Sequence, residues 1–341
     1  PSFQTFAAGV EFIEHNRTAD DWFLQIETFA PHEPFFAPKR FRDIAGARAD
    51  GPALDWPEYG HSDRPLEEKN ELRASYHASL AMCDELLGQV LDVFDRDNLW
   101  DDTALIVTTD HGFLLGEHDL WAKNRMALYQ EIAQIPLFIH DPAHPGAAGT
   151  QVAGLSQTPD LAATILDLYD AQRPDQMASP SLRPMLAGQA SPHEALIYGF
   201  FGGAVNLTDG QYSYHRYPAD VKTQEIYQYT LMPTHIFDFF HPEELTQAQL
   251  APPMPFSRDM PLLRVPVSAK SAMYNAYGPG CIIEDETRLY DLSRDPGQAS
   301  PLDAPALEAQ LAAQMADLMR GLDAPEEAFA RIDLLPKAVP A

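Results

Sequence analysis

Residues 108–124, TTDHGFLLGEHDLWAKN, bring several titratable side chains together directly after an apolar run. Asp110 and His111 are adjacent, and a carboxylate beside an imidazole offers the oxygen and nitrogen ligands that divalent cations accept. Gly112 lets the backbone approach such an ion closely. Lys123 is a compact cation that can face an anionic ester. The stretch predicts a metal site next to an anion site, against the simpler alternative of an Asp-Gly-type turn followed by a buried histidine.

Apolar runs on both sides of this stretch indicate the elements that must position it. Residues 103–109, TALIVTT, are almost continuously apolar, as expected for a strand covered on both faces, and residues 135–140 form the next such run. Residues 66–95 repeat apolar or small side chains every three or four positions, from Leu72 through Leu80 onward. This spacing predicts a long amphipathic helix.

The amino-terminal half alternates strand-like and helix-like segments. Residues 22–29 are aromatic and branched and stop before a proline, so they predict a strand that leaves His32 just past its end. Thr158 and Pro159 predict a helix start, with Thr158 as the N-cap. The order of elements predicts an α/β fold for residues 1–191, with a mostly parallel sheet flanked by helices.

Residues 192–341 have a different texture and predict a smaller carboxy-terminal α+β subdomain. Residues 195–217 and 281–292 are typical of antiparallel strands, and residues 304–322 of a closing helix. Residues 226–266 are crowded with prolines and aromatic side chains. They predict a long loop that serves as a lid or as an arm between subunits.

Composition narrows the class of protein. The 341 residues contain 23 basic and 50 acidic side chains, and the net charge of −27 would repel a phosphate backbone, so nucleic acid is excluded as a partner. No apolar run approaches the roughly 18 residues of a membrane span. No export signal is visible, and a cytoplasmic or periplasmic location is expected. Cys83 and Cys281 cannot build a disulfide framework.

Four segments together resemble the sulfatase family, within the alkaline phosphatase superfamily. Residues 108–124 are similar to that family's second signature, and residues 31–35, PHEPF, to its proline-flanked histidine loop. Residues 76–90 resemble the helix before its metal strand. Residues 289–296, LYDLSRDP, resemble its carboxy-terminal signature.

The resemblance implies an alkaline-phosphatase-like fold and a metal-dependent hydrolase of sulfate monoesters, with a small-molecule sulfate ester as its partner. Asp110 and His111 would ligate a divalent ion, calcium first, with manganese or magnesium as alternatives. His32 and Lys123 would hold the sulfate group and neutralise or protonate the leaving oxygen. His235, in the long loop, is a further candidate for contact with the substrate.

One departure from the family pattern keeps a second enzyme class open. Many sulfatases have asparagine at the position of His111, whereas the phosphonate and phosphodiester hydrolases of the superfamily often have histidine. A phosphonate or phosphate ester hydrolase is therefore the alternative. A homo-oligomer also stays open, since the aromatic side chains of residues 227–240 suit either an acceptor pocket or a contact between copies.

The family's nucleophile has no counterpart in this sequence. It is a formylglycine made from the cysteine of a Cys-x-Pro-x-Arg motif that follows an Asp pair, and neither Cys83 nor Cys281 begins such a motif. We therefore expect a carboxy-terminal portion whose amino-terminal catalytic segment lies elsewhere and which is inactive by itself. The alternative of another class is a non-catalytic anion-binding subunit or fragment.

Overall fold

The computed structural model describes residues 1–48, 54–232, 234, 238–276 and 278–334. Its contacts divide the chain into two compact units. The first unit comprises residues 1–122 and 135–151, and the second comprises residues 123–134 and those from 152 onward. The domain boundary expected at residue 191 stays a prediction.

The first unit combines three helices with two short strand pairs. Its elements are α1 (Ser2–Asn16), α2 (Lys39–Ala45), α3 (Leu66–Asp97), β1 (Leu105–Thr108), β2 (Leu114–Leu115), β3 (Trp121–Ala122) and β4 (Leu137–His140).

The second unit is built around two antiparallel sheets. Its elements are α4 (Gln130–Ala133), α5 (Thr158–Leu168), α6 (Arg183–Leu186), β5 (Leu196–Gly199), β6 (Val205–Thr208), β7 (Tyr212–Arg216), β8 (Tyr227–Thr230), α7 (Pro242–Gln247), β9 (Gln249–Ala251), β10 (Leu262–Pro266), α8 (Ala272–Ala276), β11 (Arg288–Asp291), α9 (Pro305–Gly321) and α10 (Glu326–Arg331).

The long helix predicted from residue 66 is present as α3, and its buried face matches the predicted one only in part. Leu80 is 46% exposed, whereas Met82 and Leu86 are buried with 4% and 1% exposed. The buried face also includes small polar side chains such as Ser75 and Ser79, which an apolar periodicity cannot identify. This face and the helices α1 and α2 form the hydrophobic core of the first unit.

Residues 22–29 form no strand among the described residues, so that prediction is wrong. Their side chains still alternate between half-buried and exposed. Trp22, Leu24 and Ile26 pack against the core of the first unit. Gly9 of α1 makes room for Ile26, since a Cβ at Gly9 would overlap the Ile26 side chain.

The predicted strands at residues 103–109 and 135–140 are present as β1 and β4, but they pair antiparallel, with Leu105 opposite His140 and Thr108 opposite Leu137. Every strand pair among the described residues is antiparallel. Neighbouring parallel strands need a crossover of a dozen or more residues, usually helical. Between β1 and β4 the structure has a two-residue hairpin ladder and one helical turn instead.

The carboxy-terminal strands and the closing helix are confirmed. Strands β11, β7, β6 and β5 form one antiparallel sheet in that order. Leu207 and Tyr214 on this sheet are fully buried, and they pack in one cluster with Leu311 and Met315 of α9. Burying apolar side chains between a sheet and a helix is what stabilises such a two-layer unit.

Two further predictions for the second unit need correction. The expected loop at residues 226–266 contains helix α7 and the three-stranded antiparallel sheet β8-β10-β9. Most prolines of this segment lie between the strands, and their number made the whole segment resemble a loop. At the start of α5 the N-cap is Gln157, not Thr158, because the Asp160 carboxylate accepts the backbone N–H of Gln157 at 2.9 Å.

Replacing Leu86 with alanine tests the observed face of α3. Leu86→Ala should lower the free energy of unfolding by about 2–5 kcal/mol, because it opens a cavity in the core. Leu80→Ala, on the same helix, is the matched control and should change it by less than about 0.5 kcal/mol. Urea denaturation measures both, and equal losses for the two variants would contradict the assigned face.

Candidate active site

Asp110 and His111 follow the end of β1 and are in direct contact. The Oδ1 atom of Asp110 accepts the backbone N–H of His111 at 2.9 Å and the Thr109 hydroxyl at 3.2 Å. These bonds orient the carboxylate so that its other oxygen, Oδ2, lies 3.3 Å from Nε2 of His111. The pair therefore presents one oxygen and one nitrogen side by side.

The other nitrogen of the His111 ring fixes the position of a proton. Nδ1 lies 2.9 Å from the carbonyl oxygen of Gly112. Because a carbonyl only accepts, Nδ1 carries the hydrogen, and in the neutral ring Nε2 carries the electron pair. That electron pair faces the carboxylate, an arrangement that suits a shared cation.

The pKa of Asp110 lies below its usual value. Partial burial would raise this pKa, but the positive charge that the facing His111 ring carries when protonated, together with the hydrogen bonds to the carboxylate, outweighs that effect. The carboxylate is therefore ionised at neutral pH and available as a metal ligand. Within the described residues, no group of three or more His, Cys, Asp or Glu side chains is arranged to hold a metal ion.

His32 lies in a loop of the same unit. Its backbone N–H donates to the carbonyl of Phe29 at 2.7 Å, and its Nδ1 lies 2.6 Å from the carbonyl of Glu33. The side chain is one-third exposed. Since Nδ1 is used within the loop, Nε2 is the atom that can meet an ester oxygen.

Three aromatic rings join the loop of His32 to the loop of Asp110 and His111. Phe35 is 2% exposed, and its ring centroid lies 5.5 Å from that of Phe113 and 5.3 Å from that of Tyr76 on α3. Phe35 is three residues after His32, and Phe113 is two residues after His111. Packing of these rings therefore brings the two histidine-bearing loops together.

The glycine at the middle of the motif has a backbone that only glycine adopts easily. Gly116 has φ +111°, and a Cβ there would collide with the guanidinium of Arg73. That guanidinium donates to the carbonyl of Leu115 at 2.7 Å and lies 5.1 Å from the ring centroid of Trp121. The Glu117 carboxylate accepts the backbone N–H of Leu115 at 2.5 Å. Glu117 thus stabilises the turn.

Lys123 belongs to the second unit, and only 4% of it is exposed. The segment that begins with it, residues 123–134, is held by a carboxylate, that of Glu284, whose side chain is 18% exposed. Glu284 accepts the backbone N–H of Ala127 at 2.8 Å and the Tyr129 hydroxyl at 2.7 Å. Burial, followed by the neighbouring Glu284 carboxylate, raises the pKa of Tyr129 far above its usual value, so the phenol remains a donor.

Two further hydrogen bonds fix the same segment. The side-chain oxygen of Gln298 accepts the backbone N–H of Gln130 at 2.7 Å, and Arg125 accepts the backbone N–H of Ile283 at 2.7 Å through its carbonyl. The residues between positions 283 and 298 therefore determine the path of the chain that follows Lys123.

Of the remaining candidates, His235 lies outside the described residues. The two cysteines are free, and neither is poised as a thiolate. Burial raises the pKa of Cys83 to about 11 and also raises the pKa of Cys281. Both are thiols at neutral pH, so neither is activated as a nucleophile.

Two family models match the chain. The model described as Sulfatase matches residues 4–171, and the model described as N-sulphoglucosamine sulphohydrolase, C-terminal, matches residues 116–249. Together they cover more than half of the sequence, including the loops of His32, Asp110 and His111. The chain belongs to the sulfatase family.

Two curated relatives are similar over part of this sulfatase-family chain. Choline-sulfatase of Rhizobium meliloti (strain 1021) is 30% identical over an alignment of 184 positions, and the match covers 46% of this chain and 35% of the relative. The multifunctional alkaline phosphatase superfamily protein PehA of Trinickia caryophylli is 30% identical over an alignment of 199 positions, and the match covers 50% of this chain and 38% of the relative. The matched region is thus little more than a third of either relative.

Solved structures confirm the fold. The phosphonate monoester hydrolase of Agrobacterium radiobacter superposes with a TM-score of 0.60 at 19% identity, over 94% of this chain and 61% of that chain. The predicted α/β, alkaline-phosphatase-like class with a smaller antiparallel carboxy-terminal part is therefore confirmed. Among the helices of the described ranges, none is long and apolar enough to cross a membrane.

Several residues that shape the site carry no signal in the sequence. In the sequence, Phe35 and Phe113 are ordinary apolar side chains, and only the fold brings their rings together. The position of Phe113 directly after Asp-His-Gly is the one signal that could have pointed to it. Glu33 stands beside His32, but its burial is not readable from the motif. Glu284 is more than 150 positions away from the amide it accepts.

The hydrogen bonds that hold residues 123–134 can be tested without an activity assay. Glu284→Gln should speed hydrogen exchange of the Ala127 amide about tenfold, because one carboxylate bond worth about 1.5–3 kcal/mol is weakened. Glu286→Gln is the control, since the Glu286 side chain is 74% exposed and pairs only with Arg288 among its described contacts. Unchanged exchange in Glu284→Gln would show that this carboxylate does not fasten the segment.

Proposed function

We propose that the chain is the carboxy-terminal portion of a metal-dependent hydrolase of small-molecule sulfate monoesters. The contact between Asp110 Oδ2 and His111 Nε2, at 3.3 Å on a loop matched by the sulfatase family model, carries this proposal. Its lone-pair-to-carboxylate geometry fits a divalent cation, for which calcium is our first candidate and manganese and magnesium are alternatives.

The residues have distinct roles in this proposal. Asp110 and His111 hold the ion, which when bound offsets negative charge on the ester. His32 and Lys123 act at the leaving side. As the bond between sulfur and the alcohol oxygen breaks, one of these two groups in its protonated form passes a proton to that oxygen, and the other, while cationic, offsets the remaining charge. The attacking hydroxyl comes from a formylglycine outside these 341 residues.

Two strands that are only partly covered support the proposal that the complete protein contains a further segment of sheet. Of the apolar run in β1, Leu105, Ile106 and Val107 are only half-buried, and Phe138 of β4 is 66% exposed. An isolated pair of strands is marginal in water and needs further strands or a covering layer to be stable. The curated relatives are almost three times as long as the matched region. We propose that this segment supplies the nucleophile and further metal ligands, and that the chain alone is inactive.

A second candidate is a phosphonate or phosphate ester hydrolase with the same leaving-side residues. His111 favours it, because an imidazole there is common among the phosphonate and phosphodiester hydrolases that the motif resembles. The fold that the chain shares with the phosphonate monoester hydrolase of Agrobacterium radiobacter is compatible with this candidate and with the first one.

Substrate preference separates the candidates. The complete gene product should cleave an aryl sulfate with a higher kcat/KM than the matching aryl phosphate and aryl phosphonate, because sulfate monoesters are its proposed substrates. Initial rates on the three esters measure this preference. Phosphonate turnover well above sulfate turnover would favour the second candidate. A gene without an Asp pair and a Cys-x-Pro-x-Arg motif, and no turnover at all, would favour the anion-binding subunit.

Metal content tests the ligand assignment. In the complete gene product, Asp110→Asn should weaken binding of the divalent ion by at least about tenfold, since an anionic ligand is lost. Asp119→Asn is a matched control in the same motif, because the two carboxylate side chains are 80% and 81% exposed. Elemental analysis after dialysis gives both values. Equal metal retention in the two variants would exclude Asp110 as a ligand.

A further inference from the structure

Glu33 is a buried carboxylate in the loop that carries His32. Its side chain is fully buried, whereas the His32 side chain is 33% exposed. Removing a carboxylate from water is costly unless hydrogen-bond donors replace the water. The Tyr59 hydroxyl donates to Oε1 of Glu33, and Oε2 lies 3.4 Å from Nδ1 of His32. The partners of the Glu33 carboxylate thus include the Tyr59 hydroxyl and the ring of His32, a candidate catalytic residue.

Two acceptors from one residue surround Nδ1 of His32. The backbone carbonyl of Glu33 lies 2.6 Å from it, and the Glu33 carboxylate reaches it from a second direction at 3.4 Å. Neither acceptor can donate, so the ring must keep its hydrogen on Nδ1. The Phe29 ring packs edge-on against the imidazole at 5.2 Å and limits its rotation. Nε2 is consequently the nitrogen that the loop presents.

Tyr59 links the Glu33 carboxylate to strand β3. The next residue, Gly60, exchanges two backbone hydrogen bonds with Trp121 of β3, at 3.0 and 2.8 Å. Trp121 is 1% exposed. The hydroxyl that holds Glu33 is therefore anchored to the same stretch, residues 108–124, that contains Asp110 and His111.

We propose that Glu33, held by Tyr59, is a positioning residue for His32. It keeps a hydrogen on Nδ1, so that Nε2 is the nitrogen that can bind a further proton and donate it to the oxygen of a bound anionic ester. The role of Nε2 toward the ester rests on the proposed function, whereas the orientation of the ring does not. The orientation can therefore be tested on the chain as it stands, without turnover.

Nitrogen-15 spectroscopy of the histidine rings tests the proposal. The chain has 12 histidines, and the signals of His32 are those lost in His32→Asn. In the unmodified chain, measured with the histidine rings in their neutral form, Nδ1 should give the shift of a protonated nitrogen and Nε2 that of an unprotonated one. In Glu33→Gln, where the side-chain amide can donate to Nδ1 and only the backbone carbonyl still requires a hydrogen there, both shifts should move part of the way toward the average of the two tautomers.

Two variants complete the experiment. Tyr59→Phe removes a single hydroxyl and should move the His32 shifts in the same direction by a smaller amount, which keeps the test valid if Glu33→Gln folds poorly. Asp141→Asn removes another buried carboxylate, which lies 2.8 Å from Nδ1 of His144. It should move the signals of His144 and leave those of His32 unchanged.

The outcomes separate this proposal from the proposed function. A hydrogen on Nε2 of His32 in the unmodified chain would overturn the positioning role. So would His32 shifts that are the same in Glu33→Gln and in the unmodified chain. If the shifts behave as expected but the complete gene product cleaves none of the three aryl esters, the positioning stands and the proposed function fails.

Discussion

An electron pair on Nε2 of His111 cannot stably face the ionised carboxylate of Asp110 at 3.3 Å unless a positive charge lies between them. The charge can be a proton on the ring or a metal ion. The carbonyl of Gly112 holds the other nitrogen as a donor, and the Thr109 hydroxyl and a backbone amide hold the other carboxylate oxygen. The surrounding residues thus leave one oxygen and one nitrogen directed at a common point.

The candidate catalytic groups lie on loops, and buried contacts fix those loops. The contact between Phe35 and Phe113 joins the loop of His32 to the loop of Asp110 and His111. The two backbone hydrogen bonds between Gly60 and Trp121 anchor the hydroxyl that holds Glu33. In the second unit, Glu284 holds the segment that begins at Lys123 by accepting the backbone N–H of Ala127. Rigid support of this kind lets exposed polar groups keep a defined geometry.

The sequence predicted the elements with strong periodicity and missed those that depend on distant partners. Helix α3, strand β1 and helix α9 were predicted because their patterns are long or continuously apolar. Residues 22–29 have the alternation of a strand but belong to no sheet among the described residues, and proline content concealed the strands within residues 226–266. Asp110 and His111 were recognisable from residue type and spacing. Their supports were not, because contacts such as that of Glu284 link positions far apart in the chain.

Anomalous diffraction from crystals of the complete gene product, grown with manganese, tests the central claim most directly. We expect an anomalous peak about 2.0–2.6 Å from both Asp110 Oδ2 and His111 Nε2. With the ion in that position, Nε2 must supply its electron pair to the metal. No peak at this pair, with the two atoms still at hydrogen-bond distance, would show that a proton on His111 supplies the positive charge and that the pair is not a metal site.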